Sequence, residues 1–554
     1  MASSAPQWAS SLGGWYNTNT NTIILIGLLV LALRFIFRSS GGDGEPPKLG
    51  ERIPFLSNTI EFTTNPEAFY KRALKTMQSL NTEMLRFRIA GRRAYLVMGD
   101  AKTNPLFRAS SGLTARRFIR IFTDVMFGPT DKDSARFAAD ISGRAREPVP
   151  GTEHVTDRLW VKWHRILSEY ISHPTRTSEL TRWYFDRFTA RIAELYPLGK
   201  PTDMLVWKFL QHHQTECAGR AMCGDLVFDT TPDYLDGLFG YELALLPVGF
   251  GPPRWLNPKP HRARDRWLAM NRRYMAQALQ DYDWTAAPVD DGWDPVFGSP
   301  FMRQLVRWGL DAGLDVQTIA GMCGQQMSNL NSNSVPATAW CIMNALTCSD
   351  PDLLPNLRRE AEAALLPGGD ADSLFDMPKL LSSPWLQAVY TETLRLRVSF
   401  SIVREAERAT TLDGFTIPNG AMVQAPIPLA HYNEGVWGVK GHPADEFWPR
   451  RHLQLVGDED KETKKGKFTF SISSQRSGYF FPYGGGITMC PGRNFAKQEI
   501  IGTLALFLTW FDVEVVGWVM PDGERPSDRE ARNGETFALC RPDRDLKLRV
   551  TRKR

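Results

Sequence analysis

Apolar residues recur at helical spacing through the N-terminal two thirds of this 554-residue chain. Residues 158–171 and 353–366 are examples, with apolar positions three and four apart and charged positions between them. Shorter apolar runs bounded by turn residues, at 96–99 and 410–426, are typical of strands. Because 43% of the residues are apolar, the chain can bury a large core. The pattern predicts a mostly α-helical globular protein with small β-sheets.

The stretch 316–349 contains no Asp, Glu, Lys, Arg or His in 34 residues, and its apolar positions again follow helical spacing. It predicts a buried helix, about 50 Å long at about 1.5 Å per residue. Pro336 has no N–H, so the carbonyl of Ser332 loses its helical partner and the helix should kink or open there. The polar residues 331–334 precede this proline, and buried polar groups need partners. They either bond one another and water or line a ligand cavity, and the helix alone favours neither.

The N-terminus carries no charge from residue 1 to residue 33, and residues 22–38 are apolar apart from Thr22, Arg34 and Arg38. A membrane helix needs about 20 residues, with a lower limit of about 17, so 22–38 predicts a transmembrane anchor. The positive-inside rule places the uncharged residues 1–21 in the lumen and the rest of the chain in the cytosol. The alternative is a cleaved signal peptide, although no small-residue cleavage site follows.

Residues 39–54 are rich in glycine and proline and predict a hinge between the anchor and the body of the protein. Beyond it we find no repeat and no second linker of similar strength, so residues 55–554 are expected to form one large domain. The net charge of +5 is too small to indicate a nucleic-acid partner.

The seven cysteines are odd in number, scattered and without C-x-x-C spacing, which argues against a disulfide framework and a structural zinc site. Cys490 differs from the others because it lies in the glycine-rich segment FPYGGGITMCPGRNFAKQEI, residues 481–500, before an apolar helical run. With Pro491 suited to the first helical position, Cys490 is expected at the N-cap, where free N–H groups favour a thiolate. Residues 484–486 would let the backbone approach a flat or bulky group. The other six predict inert packing.

Gly486, Cys490, Gly492 and Ala496 reproduce the G-x-x-x-C-x-G-x-x-x-A signature, and this segment resembles the haem-binding loop of the cytochrome P450 superfamily. Tyr483 stands where that family usually has Phe. The resemblance implies the family's mostly helical fold behind a membrane anchor, making 55–554 a haem-thiolate catalytic domain. It implies haem b as cofactor, with the Cys490 thiolate as the axial iron ligand and Tyr483, Gly486 and Gly492 at the cofactor.

Further segments follow in the family's order. Glu392-x-x-Arg395 and Arg451 resemble its structural Glu-Arg-Arg cluster, with Arg450 where the family usually has Glu. The alternative for the first pair alone is a surface ion pair.

The family's haem propionate contacts also have counterparts here. Trp160 and His164 resemble its Trp-x-x-x-basic pattern, with Arg165 as a substitute for His164. Arg404 lies where the family often has another propionate-binding arginine; the alternative is a charge on the rim of a strand. Thr488 stands where many members have Arg, so one propionate contact is expected to be replaced or lost.

The family's acid–alcohol pair on the long helix, which delivers protons to bound dioxygen, is matched by Asn333 and Ser334. The segment Asn-Ser-x-Pro-Ala resembles a subset that includes sterol 7α-hydroxylases and prostacyclin synthase. That subset implies two reactions, monooxygenation with proton delivery through Ser334, or isomerisation or dehydration of a peroxide without a reductase. We favour the first because a hydroxyl is retained at 334. A non-enzymatic haem- or sterol-binding membrane protein is a third alternative.

We find no dinucleotide-binding fingerprint, so electrons are expected from an NADPH-dependent flavoprotein reductase. A charged insertion, 457–468, could join Arg493 and Lys497 in a basic docking patch, or simply be solvated. The regions that contact substrate in the family are apolar or neutral here, which indicates a lipophilic small molecule such as a terpenoid, steroid or other secondary metabolite. The cysteine loop resembles those of filamentous-fungal members that tailor secondary metabolites, and the resemblance implies a single-pass protein of the endoplasmic reticulum.

Overall fold

The computed structural model describes residues 44–53, 56–108, 112–285, 288–290, 292–367, 374–456, 467–534 and 538–554. Helices dominate these residues, and four small sheets lie at their margins. The sequence-based prediction of a mostly helical protein with small sheets is confirmed. Within the residues described, no helix is both long and apolar enough to cross a membrane. The predicted anchor, 22–38, and the luminal segment, 1–21, lie outside them.

The α-helices are numbered here in chain order. They are α1 Ser57–Thr64, α2 Pro66–Ser79, α3 Asp100–Phe107, α4 Arg116–Phe127, α5 Asp131–Ala139, α6 Leu159–Ile171, α7 Pro174–Leu195, α8 Val206–Phe209, α9 Thr215–Cys223, α10 Leu226–Asp229, α11 Tyr234–Phe250, α12 Pro258–Asp281, α13 Pro300–Asp311, α14 Val316–Thr347, α15 Leu353–Ala363, α16 Met377–Ser382, α17 Pro384–Arg397, α18 Ile427–His431, α19 Glu434–Trp437, α20 Ser474–Ser477 and α21 Arg493–Trp510. A π-helical turn, Leu210–Gln214, joins α8 to α9, and 3₁₀ turns lie at Pro449–His452 and Gly486–Thr488.

The strands form one five-stranded sheet, one three-stranded sheet and two hairpins. They are β1 Met84–Ile89, β2 Arg92–Val97, β3 Leu113–Thr114, β4 Pro201–Leu205, β5 Ser401–Ala406, β6 Thr410–Leu412, β7 Phe415–Ile417, β8 Met422–Pro426, β9 Leu453–Val456, β10 Lys467–Phe470, β11 Phe511–Val519 and β12 Asp545–Arg552. The large sheet has the order β1-β2-β8-β5-β3 and is antiparallel except for the β2–β8 pair. The C-terminal β12 lies between β11 and β4.

The long helix α14 lies at the centre of the largest hydrophobic cluster, and 25 of its 32 residues are buried. Asp315 caps it by accepting a hydrogen bond from the Gln317 N–H at 2.8 Å. A single α-helix continues through Pro336, so the predicted opening does not occur. Close packing on both sides of α14 leaves the helix no room to open, and only the hydrogen bond that the proline ring cannot donate is lost.

Two glycines let α14 approach its neighbours closely. A Cβ at Gly321 would lie 1.8 Å from the carbonyl oxygen of Phe127, at the end of α4. A Cβ at Gly324 would lie 2.5 Å from the side-chain amide carbon of Asn271, on α12. The long helix α14 therefore packs closely against α4 and α12 at these two glycines.

Replacing Gly321 with Ala should destabilise the protein, because the obstacle is a backbone carbonyl that cannot rotate away. We expect Gly321→Ala to lower the free energy of unfolding by about 1–3 kcal/mol, the cost of overpacking a core. Gly240→Ala is the matched control, because a Cβ there would have its nearest contact at 3.9 Å. Gly240 lies in α11, where replacing glycine with alanine should stabilise the protein by up to about 1 kcal/mol. Equal midpoints of thermal unfolding for the two variants would contradict the proposed clash.

Candidate functional site: a buried thiol, a buried carboxylate cluster and a basic cluster

The loop that carries Cys490 is held by its own backbone. The N–H of Cys490 donates to the carbonyl of Tyr483 at 2.9 Å, which closes the loop around the 3₁₀ turn Gly486–Thr488. Helix α21 begins at Arg493, with Gly492 as the N-cap. The predictions that Cys490 caps this helix and that Pro491 begins it are therefore wrong. The reason is that the carbonyl of Gly492 accepts the first helical hydrogen bond, from Ala496 at 2.9 Å.

The thiol of Cys490 is still stabilised as a thiolate by groups at the N-terminus of α21. Burial raises the pKa of Cys490, while the backbone N–H groups of Gly492 and Arg493 and the charge of Arg493 oppose that rise. Burial raises the pKa of Cys223 to about 12 with no opposing group. The backbone N–H groups expected beside Cys490 are therefore supplied by Gly492 and Arg493, at the start of α21.

The glycines of the cysteine loop make room for Phe107, whereas the sequence predicted a flat or bulky group beside them. A Cβ at Gly485 would lie 2.8 Å from the ring of Phe107, and one at Gly486 would lie 2.3 Å from the carbonyl oxygen of Phe107. Gly486 also has φ of +56°, which favours glycine. These positions are glycine because the last residue of α3 packs on them. At Gly492 a Cβ would make ordinary contacts, so the described residues do not explain that glycine.

Tyr483, at the position where the family usually has Phe, uses its hydroxyl. Its Oη is hydrogen-bonded to the Oη of Tyr390 on α17. Burial raises the pKa of both phenols, so both stay protonated. The pair joins the cysteine loop to α17.

Helix α17 also supplies a fully buried carboxylate, Glu392. Arg395 donates to both of its oxygens at 2.8 Å, and Arg451 donates to Oε1 at 2.8 Å. Nε2 of His452 lies 2.9 Å from Oε2, and the N–H of Trp448 donates to Oε1 at 3.0 Å. Burial alone would raise the pKa of Glu392, but Arg395 and His452 outweigh it and hold the pKa well below its usual value.

The arginines of this cluster extend it into the surrounding loops. Arg395 donates to the carbonyl of His431 at 2.6 Å, and Arg451 donates to the carbonyl of Trp437. Arg450, the neighbour where the family usually has Glu, turns outward and pairs with Asp350 at 2.5 Å. The structure thus brings Glu392, Arg395 and Arg451 together, as the surface-pair alternative would not.

On α14 the two residues matched to the acid–alcohol pair have different surroundings. Asn333 is partly exposed, but its Oδ1 is buried and has no hydrogen-bond partner. Ser334 is buried, and its hydroxyl donates to the carbonyl of Leu330 at 2.8 Å.

Ser334 instead belongs to a buried polar group that joins α14 to α21. Gln214, in the π-helical turn, donates to Glu499 at 2.9 Å and to Thr338 at 3.2 Å. Burial raises the pKa of Glu499 to about 7, against the hydrogen bond from Gln214. Its Oε2 is buried without a partner among the described residues, and the nearby Ser334 hydroxyl donates to Leu330 instead. Glu499 was not identified from the sequence, although a single carboxylate in the apolar run of α21 is a detectable signal.

The residues matched to propionate contacts form a second group. The indole N–H of Trp160 donates to the carbonyl of Phe137 at 3.1 Å, so that donor is already used. Burial and the charge of Arg144 lower the pKa of His164, against a hydrogen bond to the backbone of Ile487 in the cysteine loop. Arg165, the suggested substitute for His164, is exposed and pairs with Glu169 at 3.5 Å.

Arg404 and Arg144 complete this group. Arg404, on β5, donates to the carbonyl of Leu106 at 2.7 Å and to the hydroxyl of Thr488 at 3.1 Å. Burial and the charge of Arg144 lower the pKa of Arg404 to about 10. Arg144 was missed, because nothing in the spacing of its loop distinguishes it from the arginines around it. We call Arg144, His164 and Arg404 the basic cluster.

These side chains fit a haem. The Cys490 thiol offers a soft ligand to iron, and the basic cluster offers charge to the two haem carboxylates. Asn333 has a buried oxygen with no partner, which is the signature of a polar site facing a ligand or ordered water rather than a closed core.

The docking patch suggested by the sequence is weakened by two of its members. Arg493 donates to the carbonyl of Cys490 at 3.0 Å, and Lys497 donates to Gln387 at 3.1 Å. Burial lowers the pKa of Lys497. Residues 457–466 of the insertion lie outside the described residues.

Removing the charge of Glu392 should be costly, because two buried arginines would lose their counter-charge. We expect Glu392→Gln to lower the free energy of unfolding by about 3–5 kcal/mol. Glu67→Gln is the control: it removes an exposed pair with Lys71, at 2.7 Å, and should cost less than about 0.5 kcal/mol. Because the folded-state pKa of Glu392 is depressed, its contribution is present at neutral pH and is lost as the pH falls below about 4. Denaturant unfolding of both variants at pH 7 tests this, and similar losses would refute it.

Comparisons with known proteins agree with this geometry. A family model described as cytochrome P450 matches residues 325–533. The cytochrome P450 monooxygenase calL of Penicillium decumbens is 35% identical over 535 residues, which cover 96% of each chain. The cytochrome P450 monooxygenase fsoE of Humicola fuscoatra is 30% identical over 337 residues, covering 56% of this chain and 57% of its own. Cytochrome P450 7A1 of Sus scrofa is 31% identical over 195 residues, covering 33% of this chain and 36% of its own.

Among solved structures, the crystal structure of the cytochrome P450DA heme domain superimposes with a TM-score of 0.63 at 15% identity. The match covers 92% of this chain and 97% of that one, and at this identity it establishes the fold alone. The full-length relative establishes the family, so the resemblance drawn from the cysteine loop is confirmed. The chain belongs to the cytochrome P450 superfamily and is an enzyme of that kind.

Proposed function

We propose that this protein is a membrane-anchored haem-thiolate monooxygenase that hydroxylates or otherwise oxidises a lipophilic small molecule. The overall reaction consumes dioxygen, NADPH and a proton; one oxygen atom enters the substrate and the other leaves as water. The observation that carries the proposal is the Cys490 thiol, which is half-buried and lies beside two backbone N–H groups and the charge of Arg493.

Haem b would be held by the Cys490 thiolate at the iron, with Tyr483, Gly486 and Gly492 of the same loop at the cofactor. His164 and Arg404 would hold its carboxylates, and Trp160 would contribute packing, since its N–H is donated to Phe137. When bound, a thiolate-ligated haem supplies the activation of dioxygen that hydroxylation of C–H bonds requires. Everything else is left to the chain: exclusion of water, orientation of the substrate and supply of protons.

Protons are proposed to reach the site through Glu499 and Ser334. With a pKa of about 7, Glu499 can hold a proton near neutral pH. In that state its carboxyl would donate to the Oγ of Ser334, and the Ser334 proton would leave the carbonyl of Leu330, which now accepts it, for the site. Asn333, with a buried Oδ1 in need of a donor, would position ordered water or the substrate.

The lipophilic substrate is proposed to arrive from a membrane. At the end of α11 and in the loop after it, several large apolar side chains are exposed, among them Phe250 at 53%, Trp255 at 81% and Leu256 at 62%. Together with an anchor at 22–38, this surface suits attachment to the endoplasmic reticulum with residues 55–554 in the cytosol. Retention of the full chain in the membrane pellet after carbonate extraction, and its loss on removal of residues 1–38, checks the anchor.

The electrons are proposed to come from an NADPH-dependent flavoprotein reductase, because the sequence carries no dinucleotide fingerprint. The relatives calL and fsoE carry monooxygenase in their names, which supports the same class of reaction and names no substrate. Terpenoids, steroids and other secondary metabolites are the proposed substrate class, since they are favoured by the fungal relatives and by the exposed apolar surface at the end of α11.

The ligand assignment predicts a spectroscopic signature. The reduced protein treated with carbon monoxide should show the strongly red-shifted Soret band of thiolate ligation, and Cys490→Ser should abolish it. Cys348→Ser is the control, because Cys348 is half-buried at the far end of α14 and should leave the band unchanged. A red-shifted band that survives Cys490→Ser would refute the assignment.

The reaction class predicts the origin of the inserted oxygen. With a reductase, NADPH and isotopically labelled dioxygen, the product should carry one labelled atom; turnover of a peroxide substrate without reductant would indicate an isomerase or dehydratase instead. Ligand binding without turnover would indicate the non-enzymatic alternative.

The proton route is tested in the same assay. Ser334→Ala should lower the fraction of NADPH electrons recovered in product by about tenfold, with hydrogen peroxide rising, because general acid catalysis is worth at least that much. Ser328→Ala, another buried serine of α14, is the control. Equal coupling in the two variants would exclude Ser334 from the route.

A further inference from the structure

Arg144 is a partly buried cation that has no hydrogen-bond acceptor among the residues that the structure describes. It lies in the loop between α5 and α6, and its guanidinium lies 5.6 Å from the ring centre of Trp160 and 5.8 Å from that of Trp163. Its Nε is buried without a hydrogen-bond partner, and within the described ranges no carboxylate or carbonyl accepts from it. The two indoles hold the guanidinium in place without satisfying its donors.

A second donor beside it is also unsatisfied. The indole N–H of Trp163 is buried and has no partner among the described residues. Two neighbouring donors, one of them charged, both without acceptors, are costly to bury. They indicate that a hydrogen-bond acceptor from outside the chain, preferably an anion, occupies this site.

The charge around Arg144 points the same way. Its positive charge lowers the pKa of both His164 and Arg404, so both groups lie within reach of that charge. Arg404 spends its donors on the carbonyls of Leu106 and Val403 and on the hydroxyl of Thr488, all uncharged acceptors. No carboxylate contributes to the pKa shift of any member of the cluster. The two guanidinium charges of Arg144 and Arg404, with no carboxylate near them among the described residues, require a counter-anion.

We propose that Arg144 is a haem-binding residue whose guanidinium pairs with a haem propionate, aided by the N–H of Trp163. This inference rests on the proposed haem, the one cofactor named above that brings two carboxylates to a chain otherwise short of them here. Thr488 offers no charge, since its hydroxyl accepts from Arg404 and donates to the carbonyl of Gly485, so Arg144 supplies the positive charge that position 488 lacks. The cation–π contacts fix the guanidinium before the carboxylate arrives, which reduces the entropy lost on pairing.

Two consequences distinguish this role from packing. Charge-assisted hydrogen bonds to a buried carboxylate slow the loss of the cofactor. A cation beside the haem also favours the reduced state, which carries one positive charge fewer at the iron, so removing that cation should lower the ferric/ferrous reduction potential.

The test uses the full-length ferric holoprotein and three variants. Arg144→Met keeps the apolar contact with the indoles but removes the charge, Arg144→Lys restores the charge, and Arg146→Met is the matched control because Arg146 is exposed in the same loop. We measure the rate of haem transfer to excess apomyoglobin and the reduction potential. Arg144→Met should transfer haem about tenfold faster and have a lower potential, in keeping with the strength of a charge-assisted bond. Arg144→Lys should lie near the wild type, and Arg146→Met should equal it.

Other outcomes overturn the proposal. Equal transfer rates for Arg144→Met and Arg146→Met would remove Arg144 from the haem site, and equal behaviour of the Met and Lys variants would assign it to packing. If Arg144→Met does not accumulate as folded protein, Arg144→Gln takes its place as the neutral variant. If the potentials of the wild type and Arg144→Met differ only when a carboxylate-bearing substrate is present, Arg144 pairs with that substrate and not with haem. The red-shifted Soret band should persist in every variant, whereas its absence from the wild type would refute the proposed function instead.

Discussion

The buried carboxylate of Glu392 is the interaction on which the rest of the site depends. One side chain joins α17 through Arg395 to the segment around Arg451 and His452, and the two arginines extend the contact to the carbonyls of His431, Trp437 and Glu446. Charges can be buried this deeply only when every partner is present. The cluster therefore acts as a single unit: the loops that precede the cysteine segment are held in place together or not at all.

Some of this could be predicted from residues alone. The long uncharged helix, the spacing of Gly486, Cys490 and Gly492, and the Glu392-x-x-Arg395 pair are local patterns, and local patterns survive folding because they reflect backbone geometry and helix periodicity. The N–H groups beside Cys490 were foreseen for the right chemical reason, although the helix that supplies them begins two residues later than expected.

What could not be predicted depends on contacts between distant segments. The glycines at 485 and 486 are explained by Phe107, which is more than 370 residues earlier in the sequence. Glu499 is linked to α14 by Gln214, in a π-helical turn of another part of the chain, which donates to both Glu499 and Thr338. Arg144 has no sequence signal because its importance lies in what it lacks, a partner of opposite charge. Such properties appear only when the chain has been assembled.

The packing of Phe107 against the glycines has a mechanical consequence. The last turn of α3 touches the cysteine loop at Gly485 and Gly486, and the adjacent carbonyl of Leu106 is held by Arg404 of β5. A close-packed contact without slack transmits displacement instead of absorbing it. Any ligand that pushes α3 aside must therefore move the loop of Cys490, the proposed iron ligand, or break this contact, so occupancy beside α3 can be communicated to the surroundings of that thiol.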